Sequence, residues 1–338
     1  EAETVFRRLA ERARQYPLSR VCALTGLGPA EVEAFYALLE GAPRAAYYTW
    51  TGVRQHTNAT QTERAIDTLF ALVGSCDRQG GNIWTVSPPT NAVNDLSLLP
   101  PGQKEKALGL AELPLGPPAH GWITARDFAR AAIDGAPYKV RALMSFGTNF
   151  AVSQADTARN LAALHALEFH VHADMFMNPT AACADIVLPV NMPWERDALR
   201  IGFEITQAAV ETIQFRRKVL EPLGEGRADH EIVMALATRL GMAAEFFGGD
   251  IEAGWNYQLA PLGLTVEKLR NTPDGVRVPQ PFAHAKFAAQ EADGTVRGFD
   301  PPTRRVELYS ARLLEHGHDP LPDFVPPYAD EGKALPLI

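Results

Sequence analysis

Apolar positions recur at helical spacing in six segments of the chain. In the clearest of them, Ala65, Ile66, Leu69 and Phe70 fall on one stripe, which is the pattern of a helix that packs one face on a core. The same period predicts helices over residues 3–16, 30–39, 60–73, 124–133, 153–167 and 230–240. Gly241 follows the last segment, at a position where glycine commonly ends a helix.

Short, nearly continuous apolar runs predict three strands, over residues 140–146, 169–173 and 186–190. A helix separates the first two, and strands joined through a helix pair in parallel. Continuous apolar runs are typical of strands covered on both faces. The predicted fold class is therefore α/β, with a doubly wound, mainly parallel, Rossmann-like sheet and a less regular α+β C-terminal portion. Weaker strand patterns occur at 44–50 and 306–309.

Changes in these patterns divide the chain into four parts. Residues 1–50 are predicted to be the tail of a preceding α/β domain, and 51–190 an α/β domain with a proline-rich excursion at 86–121. Residues 191–315 form a mixed helical and irregular region, and 316–338 a connector to a further C-terminal domain. Because the chain starts within a helical pattern and stops on an apolar run, both ends are interpreted as cuts through a longer polypeptide.

Composition and charge exclude several classes of function. The net charge of -8 argues against a nucleic-acid surface, which requires a basic stripe. No apolar run approaches the roughly 20 residues that a membrane-spanning helix needs. The cysteines, Cys22, Cys76 and Cys183, lie far apart, and three thiolates are too few to ligate an iron–sulfur cluster from this chain alone.

The predicted carboxyl edge of the sheet carries candidate binding residues. Gly147, Thr148 and Asn149 follow the first strand, and Asp174 follows the second. A glycine turn lets a phosphate approach the backbone, and an acidic side chain one strand further along accepts hydrogen bonds from a ribose or a base. The full glycine fingerprint of dinucleotide-binding proteins is absent, so the residues alone leave two alternatives: a nucleotide site, or a simple connection between elements.

Four stretches resemble the molybdopterin bis(guanine dinucleotide) oxidoreductase family, which includes formate dehydrogenases and dimethyl sulfoxide reductases. The most specific covers residues 172–189, where Asp174 and Phe176, then Thr180-Ala181, then an Ala-Asp-x-x-Leu-Pro run ending at Pro189 are similar to the family's signature. The others are residues 52–58 with the glycines at 80–81, residues 146–149, and residues 222–225. The chain is accordingly identified as an interior piece of a catalytic subunit of this family.

The resemblance implies roles for individual residues. Asp174, and with it Asn178, match positions that contact the guanosine end of one dinucleotide, and Gly147, Thr148 and Asn149 match the turn over its phosphates. Asp185 is either another dinucleotide contact or a buried structural carboxylate. A loop that runs close to a pterin in the family corresponds here to Gly52, Gln55, His56 and Asn58. The residue that ligates the metal is expected to lie outside this chain, the catalytic residues stay unassigned, and the chain by itself is expected to be inactive.

The resemblance also implies cofactors and partners. The whole protein is expected to hold molybdopterin guanine dinucleotide with molybdenum or tungsten, and a 4Fe-4S cluster in an N-terminal segment outside this chain. Expected partners are the remaining domains of the same polypeptide and an iron–sulfur electron-transfer subunit, with no nucleic acid and no membrane span. Family members occur on the cytoplasmic and periplasmic sides of bacterial membranes, and the chain does not distinguish the two.

Three interpretations compete with these roles. Phe150 and Ala59 depart from the family pattern, which favours the alternative of a cofactor-free scaffold subunit of a respiratory complex with the same fold, whereas Asp174 and the Ala-Asp-x-x-Leu-Pro run argue against it. His170, His172 and Asp174 alternate along one strand, so that they point to one face, which is also the pattern of a metal site. The family role of Asp174 is the better account of that alternation. Glu195 and its charged neighbours are interpreted as a surface cluster.

Overall fold

The computed structural model describes residues 3–202 and 204–326. The chain divides into two compact units: unit 1 comprises residues 1–85 and 281–338, and unit 2 comprises residues 86–280. This division differs from the boundaries predicted after residues 50 and 190. The difference arises because two segments far apart in sequence meet in unit 1, and a pattern read along the chain does not show such contacts.

Unit 1 begins with five helices. They are α1 (Val5–Arg14), α2 (Leu18–Thr25), α3 (Pro29–Gly41), α4 (Thr51–Arg54) and α5 (Ala59–Leu72). Three follow the sequence prediction closely, whereas α2 and α4 were not predicted. Gly26 ends α2 in the left-handed conformation, and Pro29 occupies the first turn of α3, where a missing N–H has no cost.

The strand predicted over residues 44–50 does not form. Instead, the side-chain amide of Asn82 pairs with the backbone of Tyr47: its Oδ1 accepts from the Tyr47 N–H at 3.1 Å, and its Nδ2 donates to the Tyr47 carbonyl at 3.0 Å. The Ser75 hydroxyl donates to the Ala45 carbonyl at 2.5 Å. Backbone groups that a neighbouring strand would satisfy are thus satisfied by side chains, so the sequence signal for a strand is overridden by tertiary contacts.

Unit 2 starts with the proline-rich excursion, which is irregular as predicted and contains three short 3-10 helices, Leu96–Leu98, Lys104–Lys106 and Pro117–His120. An α/β unit follows. It consists of α6 (Ala125–Ile133), β1 (Ala142–Phe146), α7 (Phe150–Ser153), α8 (Thr157–His165), β2 (Phe169–Asp174) and β3 (Ile186–Pro189). The strands form a parallel sheet in the order β1-β2-β3, as the sequence predicts.

The helices of this α/β unit differ from the prediction at one point and pack on β1. The helix predicted over 153–167 begins later, as α8, because Asp156 takes the left-handed conformation and caps α8 by accepting from the Arg159 N–H at 3.0 Å; the short α7 precedes it. Helices α6 and α8 pack on β1 through a cluster that contains Phe128, Ala132 and Ala163. Phe150 joins this cluster and meets Phe128 edge to face at 5.2 Å. Its departure from the family pattern therefore has a packing role.

The rest of unit 2, as far as the structure describes it, contains a second sheet and four α-helices. In chain order, these elements are β4 (Ala198–Arg200), α9 (Gln207–Val210), β5 (Thr212–Arg216), α10 (Asp229–Arg239), α11 (Ile251–Leu259), α12 (Val266–Arg270) and β6 (Val276–Arg277). The strands are antiparallel in the order β4-β5-β6. Ile213, Leu259 and Val266, all fully buried, form the core beneath this sheet.

The chain returns to unit 1 after residue 280. The strand predicted over 306–309 is absent, and α13 (Ala311–Glu315) precedes the predicted connector. The described part of that connector is anchored on α1: Arg12 forms ion pairs with Asp319 at 2.8 Å and with Asp323 at 2.9 Å. Residues 327–338 of the connector lie outside the described residues. No helix in the described ranges is both long and apolar enough to cross a membrane.

Candidate functional site

The carboxyl edge of the parallel sheet in unit 2 brings together five of the ten residues that the sequence singled out: Gly147, Thr148, Asn149, Asp174 and Asn178. Phe146 is in register with Ala173, so Gly147 and Asp174 leave neighbouring strands at the same level. The Gly147 N–H donates to the Ala173 carbonyl at 2.9 Å and holds the turn against β2. The structure therefore places Gly147 and Asp174 at the same edge of the sheet, as the strand pattern predicts.

The turn after β1 presents open backbone. Gly147 has a φ of +54°, and a Cβ built there would meet no atom within 4 Å. No acceptor in the described ranges takes the backbone N–H of Thr148 or of Asn149. Successive free N–H groups in a turn are the usual means by which a backbone binds an anion such as a phosphate. This turn can therefore approach and bind a negatively charged group.

The Asp174 carboxylate is held in place by three donors. Its Oδ1 accepts from the Phe176 N–H at 3.1 Å, and its Oδ2 accepts from Asn178 Nδ2 at 2.9 Å and from His172 Nε2 at 3.3 Å. Only 10% of the side chain is exposed. A carboxylate has about four lone-pair sites, so capacity remains for a ligand's N–H or O–H donor. Asp174 is thus both oriented and able to accept further hydrogen bonds.

Asn178 belongs to the framework of the edge. Its Oδ1 accepts from the backbone N–H groups of Thr180 and Ala181 at 3.0 and 2.9 Å. Its Nδ2 donates to Asp174 and, at 3.4 Å, to the Thr148 carbonyl. All four hydrogen-bonding positions of the amide are therefore used within the chain. Asn178 thereby links the Asp174 loop to the glycine turn.

Thr180 is a framework residue to which the sequence assigned no role. Its side chain is fully buried, and its Oγ1 accepts from the Ala151 N–H at 2.9 Å and donates to Asn149 Oδ1 at 3.2 Å. The hydroxyl therefore joins the loop after β2 to the start of α7. Its place in the family signature was the only sequence signal for this role.

Ser145, His170 and His172 form a buried polar cluster behind Asp174. The Ser145 Oγ lies 2.9 Å from His170 Nε2 and 2.6 Å from His172 Nδ1. The two histidines are 1% and 0% exposed. Burial, followed by the neighbouring His172, lowers the pKa of His170. The alternation seen in the sequence thus produces a hydrogen-bonded chain that ends on Asp174.

Asp185 lies at the other end of the sheet. Its Oδ2 accepts from the His170 N–H at 2.7 Å, and its own N–H donates to the His170 carbonyl at 2.9 Å. These contacts extend the pairing of β2 with β3 towards its amino end. These contacts favour a structural role for Asp185, but the residue is exposed and not the buried carboxylate that the sequence suggested.

Gly52, Gln55, His56 and Asn58 belong to unit 1, within and just after α4. Asn58 has a φ of +64°, immediately precedes α5, and its Nδ2 donates to the Asp323 carbonyl at 2.8 Å. Gly52, Gln55 and His56 are exposed. This loop therefore offers accessible side chains, with Asn58 as its anchor.

Unit 1 also contains a cavity of about 610 Å³ that the sequence did not suggest. Its wall includes Phe287 and Phe299, whose rings stack 4.7 Å apart. Burial lowers the pKa of Arg64 and raises the pKa of Asp67, both of which line the cavity. The loop residues Gly52, Gln55, His56 and Asn58 do not line it.

Known proteins are similar to this chain over most of its length. The model of the family described as Molybdopterin oxidoreductase matches residues 33–239. Acetylene hydratase of Syntrophotalea acetylenica is 25% identical over 98% of this chain and 48% of its own length. Dopamine dehydroxylase of Eggerthella lenta is 29% identical over 71% of this chain and 25% of its own length.

A solved structure shares the fold. Acetylene hydratase from Pelobacter acetylenicus superposes with a TM-score of 0.76 at 23% identity, over 95% of this chain and 46% of that chain. The predicted α/β fold class is thereby confirmed. The chain spans about half the length of acetylene hydratase, and a quarter of the length of dopamine dehydroxylase.

Proposed function

The chain belongs to the molybdopterin oxidoreductase family, and from that premise we propose that it is part of a molybdenum or tungsten pterin-dependent oxidoreductase in which unit 2 binds one guanine dinucleotide of the cofactor. The resemblance identified in the sequence is the same family. The observation that carries the proposal is the carboxyl edge of the parallel sheet, where free backbone N–H groups and an oriented carboxylate lie side by side.

The chemistry of the edge fits the two ends of such a ligand. Guanine carries N–H donors at N1 and at the exocyclic amine on one edge, and a fixed carboxylate is the natural acceptor for that pair. Phosphates need donors and close approach, which the N–H groups of Thr148 and Asn149 and the bare Gly147 supply. Asp174 would thus bind the base, and the turn would bind the phosphates.

The bound cofactor supplies the metal centre at which a small substrate is oxidised or reduced by two electrons. The residues of this chain contribute binding and orientation. In unit 2, Asn178 and Thr180 hold the two binding loops in register with each other. In unit 1, the exposed loop of Gly52, Gln55, His56 and Asn58 is proposed to approach a pterin, and Asp185 to stabilise the sheet.

Substrate and partners are proposals for the whole protein. The named relatives include a hydratase and a dehydroxylase, so family membership is compatible with different substrates. The proposed partners are the other domains of the polypeptide and an iron–sulfur electron-transfer subunit, and a 4Fe-4S cluster is proposed for a segment outside this chain.

Binding of guanosine diphosphate to the chain tests the proposal. Asp174→Asn replaces an acceptor-only carboxylate with an amide of the same shape. Hydrogen bonds to a charged group contribute about 1.5–3 kcal/mol, so the affinity is expected to fall roughly 10- to 100-fold in isothermal titration calorimetry. Asp134→Asn, a surface change 55% exposed beside Arg159, is the matched control and leaves the affinity unchanged.

Two results would overturn the proposal. One is a chain that binds guanosine diphosphate no better than adenosine diphosphate. The other is an Asp174→Asn variant that binds as the unchanged chain does. Either result would favour the cofactor-free scaffold as the function of this fold.

A further inference from the structure

The hydrogen-bonded chain behind Asp174 lies entirely within the sheet. Ser145 is in register with His172, and His170 lies two residues earlier on the same face of β2. Ser145 is 8% exposed and the two imidazoles are essentially inaccessible to water. Buried polar groups that satisfy one another in this way are rigid, because the loss of one bond leaves the next group without a partner.

Asp174 determines where each proton of this hydrogen-bonded chain lies. A carboxylate accepts only, so the His172 Nε2 facing it must carry the hydrogen. With its single ring proton on Nε2, His172 accepts the Ser145 hydroxyl proton at Nδ1. The Ser145 oxygen, having donated its only proton, accepts from His170 Nε2–H.

His170, the last residue of the hydrogen-bonded chain, is consistent with this order of protons. With its hydrogen on Nε2, His170 has a bare Nδ1, and that atom is buried with no partner at hydrogen-bond geometry among the described residues, although the nearby Cys183 backbone raises the pKa of the ring against the effect of burial. A neutral His170 also agrees with the lowering of its pKa by burial. All donors therefore point in one direction, from His170 through Ser145 and His172 to Asp174.

We propose that His172 and Ser145 are positioning residues that fix the orientation of the Asp174 carboxylate and thereby the selectivity of the site for guanine. The inference rests on the proposed function, since it concerns the carboxylate that would contact the base. His172 and Asn178 donate to the same oxygen, Oδ2, from within the sheet and from the loop. Without His172, Oδ2 keeps only the loop donor, and the carboxylate can rotate away from the paired donors of the base.

Measuring the selectivity for the base distinguishes a positioning role of His172 from a role in the stability of the fold alone. Guanine and hypoxanthine differ by the exocyclic amine, so the ratio of affinities for guanosine and inosine diphosphate reports whether the carboxylate still meets both donors. His172→Phe keeps a ring and removes the donor. It should reduce guanosine diphosphate binding about 5-fold, the effect of one ordinary hydrogen bond, and bring the ratio close to one. His172→Gln keeps an amide donor at similar reach. It should therefore retain most of the affinity for guanosine diphosphate and most of the preference over inosine diphosphate.

The variants also distinguish the two proposals. If Asp174→Asn abolishes selectivity while His172→Phe leaves the ratio unchanged in a folded chain, the positioning role is refuted and the proposed function stands. If neither variant affects binding, the proposed function itself fails.

A measurement on the unchanged chain covers the case in which His172→Phe does not fold. Nitrogen-15 NMR of labelled histidines should show the ring proton of His172 and of His170 on Nε2, and Ser145→Ala should shift the His172 Nδ1 resonance. A His172 that carries its proton on Nδ1 would contradict the order derived from Asp174.

Discussion

Buried carboxylates are the residues at which sequence and structure differ most. Glu195, interpreted from the sequence as part of a surface cluster, is only 7% exposed. Its Oε2 accepts from the Met192 N–H at 2.6 Å and its Oε1 from the Leu223 N–H at 2.9 Å. Charge alone suggested solvent, whereas two backbone donors far apart in sequence make burial possible.

Glu211 is the most strongly shifted acid of the described residues. Hydrogen bonds from the Gln207 side chain and the Gln280 N–H, together with Arg277 at 2.8 Å, lower its pKa to about 2 although burial opposes the charged form. The carboxylate is 2% exposed and connects α9 to β6.

Glu211→Gln is expected to make unit 2 less stable at neutral pH. Because the pKa is about 2 in the folded chain and near 4.5 when unfolded, the stabilisation is complete above pH 4.5 and is lost as the pH falls towards 2. Urea midpoints at pH 7 and pH 3 should therefore show a larger difference between variant and unchanged chain at pH 7. Equal midpoints at pH 7 would contradict this role.

The second sheet shows that a pattern along the chain can fail to locate short strands. The C-terminal portion was predicted to be α+β and residues 191–315 to be mixed helical and irregular, but the positions of β4, β5 and β6, which form an antiparallel sheet, were not predicted. Residues 212–216 do alternate polar and apolar, with Ile213 and Phe215 buried. The signal was present in a segment of five residues, which is short enough to be overlooked without its partners.

Ile213 is the central core residue of that sheet. Ile213→Ala is expected to lower the free energy of unfolding by about 2–5 kcal/mol, because it removes buried methyl groups and leaves a cavity. Ile205→Ala, at a site that is 71% exposed, should change it by less than about 0.5 kcal/mol. Chemical denaturation of both variants measures the two values, and similar losses would show that the sheet has no specific core.

The assembly of unit 1 depends on contacts between its two sequence segments. Asp77, fully buried with a φ of +49°, accepts from Lys286 Nζ at 2.7 Å and from the Lys286 N–H at 2.9 Å. The residues that join are 209 positions apart. Asp77 thereby holds the loop after α5 to the returning chain.

Asp77→Ala should lower the unfolding free energy of unit 1 by about 3–5 kcal/mol, because Lys286 is left without its buried partner. Hydrogen exchange followed by mass spectrometry should then quicken in residues 75–85 and 285–288 together. Asp300→Ala, at a position 94% exposed, is the control and should leave exchange in both segments unchanged. Faster exchange in only one of the segments would refute the link.

Short-range chemistry accounts for what was predicted about the binding edge. Period, turn residues and strand length located β1, β2 and β3, and these placed Gly147 and Asp174 at one edge because parallel strands end together. The roles of Thr180 and Ser145 were not predicted, since a hydroxyl has no partner until the loops or strands around it are folded.

The sequence by itself determined the α/β class, the parallel order of the first sheet and the family, because these depend on local periodicity and on a contiguous signature. Tertiary structure alone decided that residues 1–85 and 281–338 form one unit and that residues 44–50 remain outside any sheet. It also turned two alternating histidines into a directed hydrogen-bond chain. The physical reason is that burial and hydrogen-bond satisfaction are properties of neighbours in space, which a linear pattern does not contain.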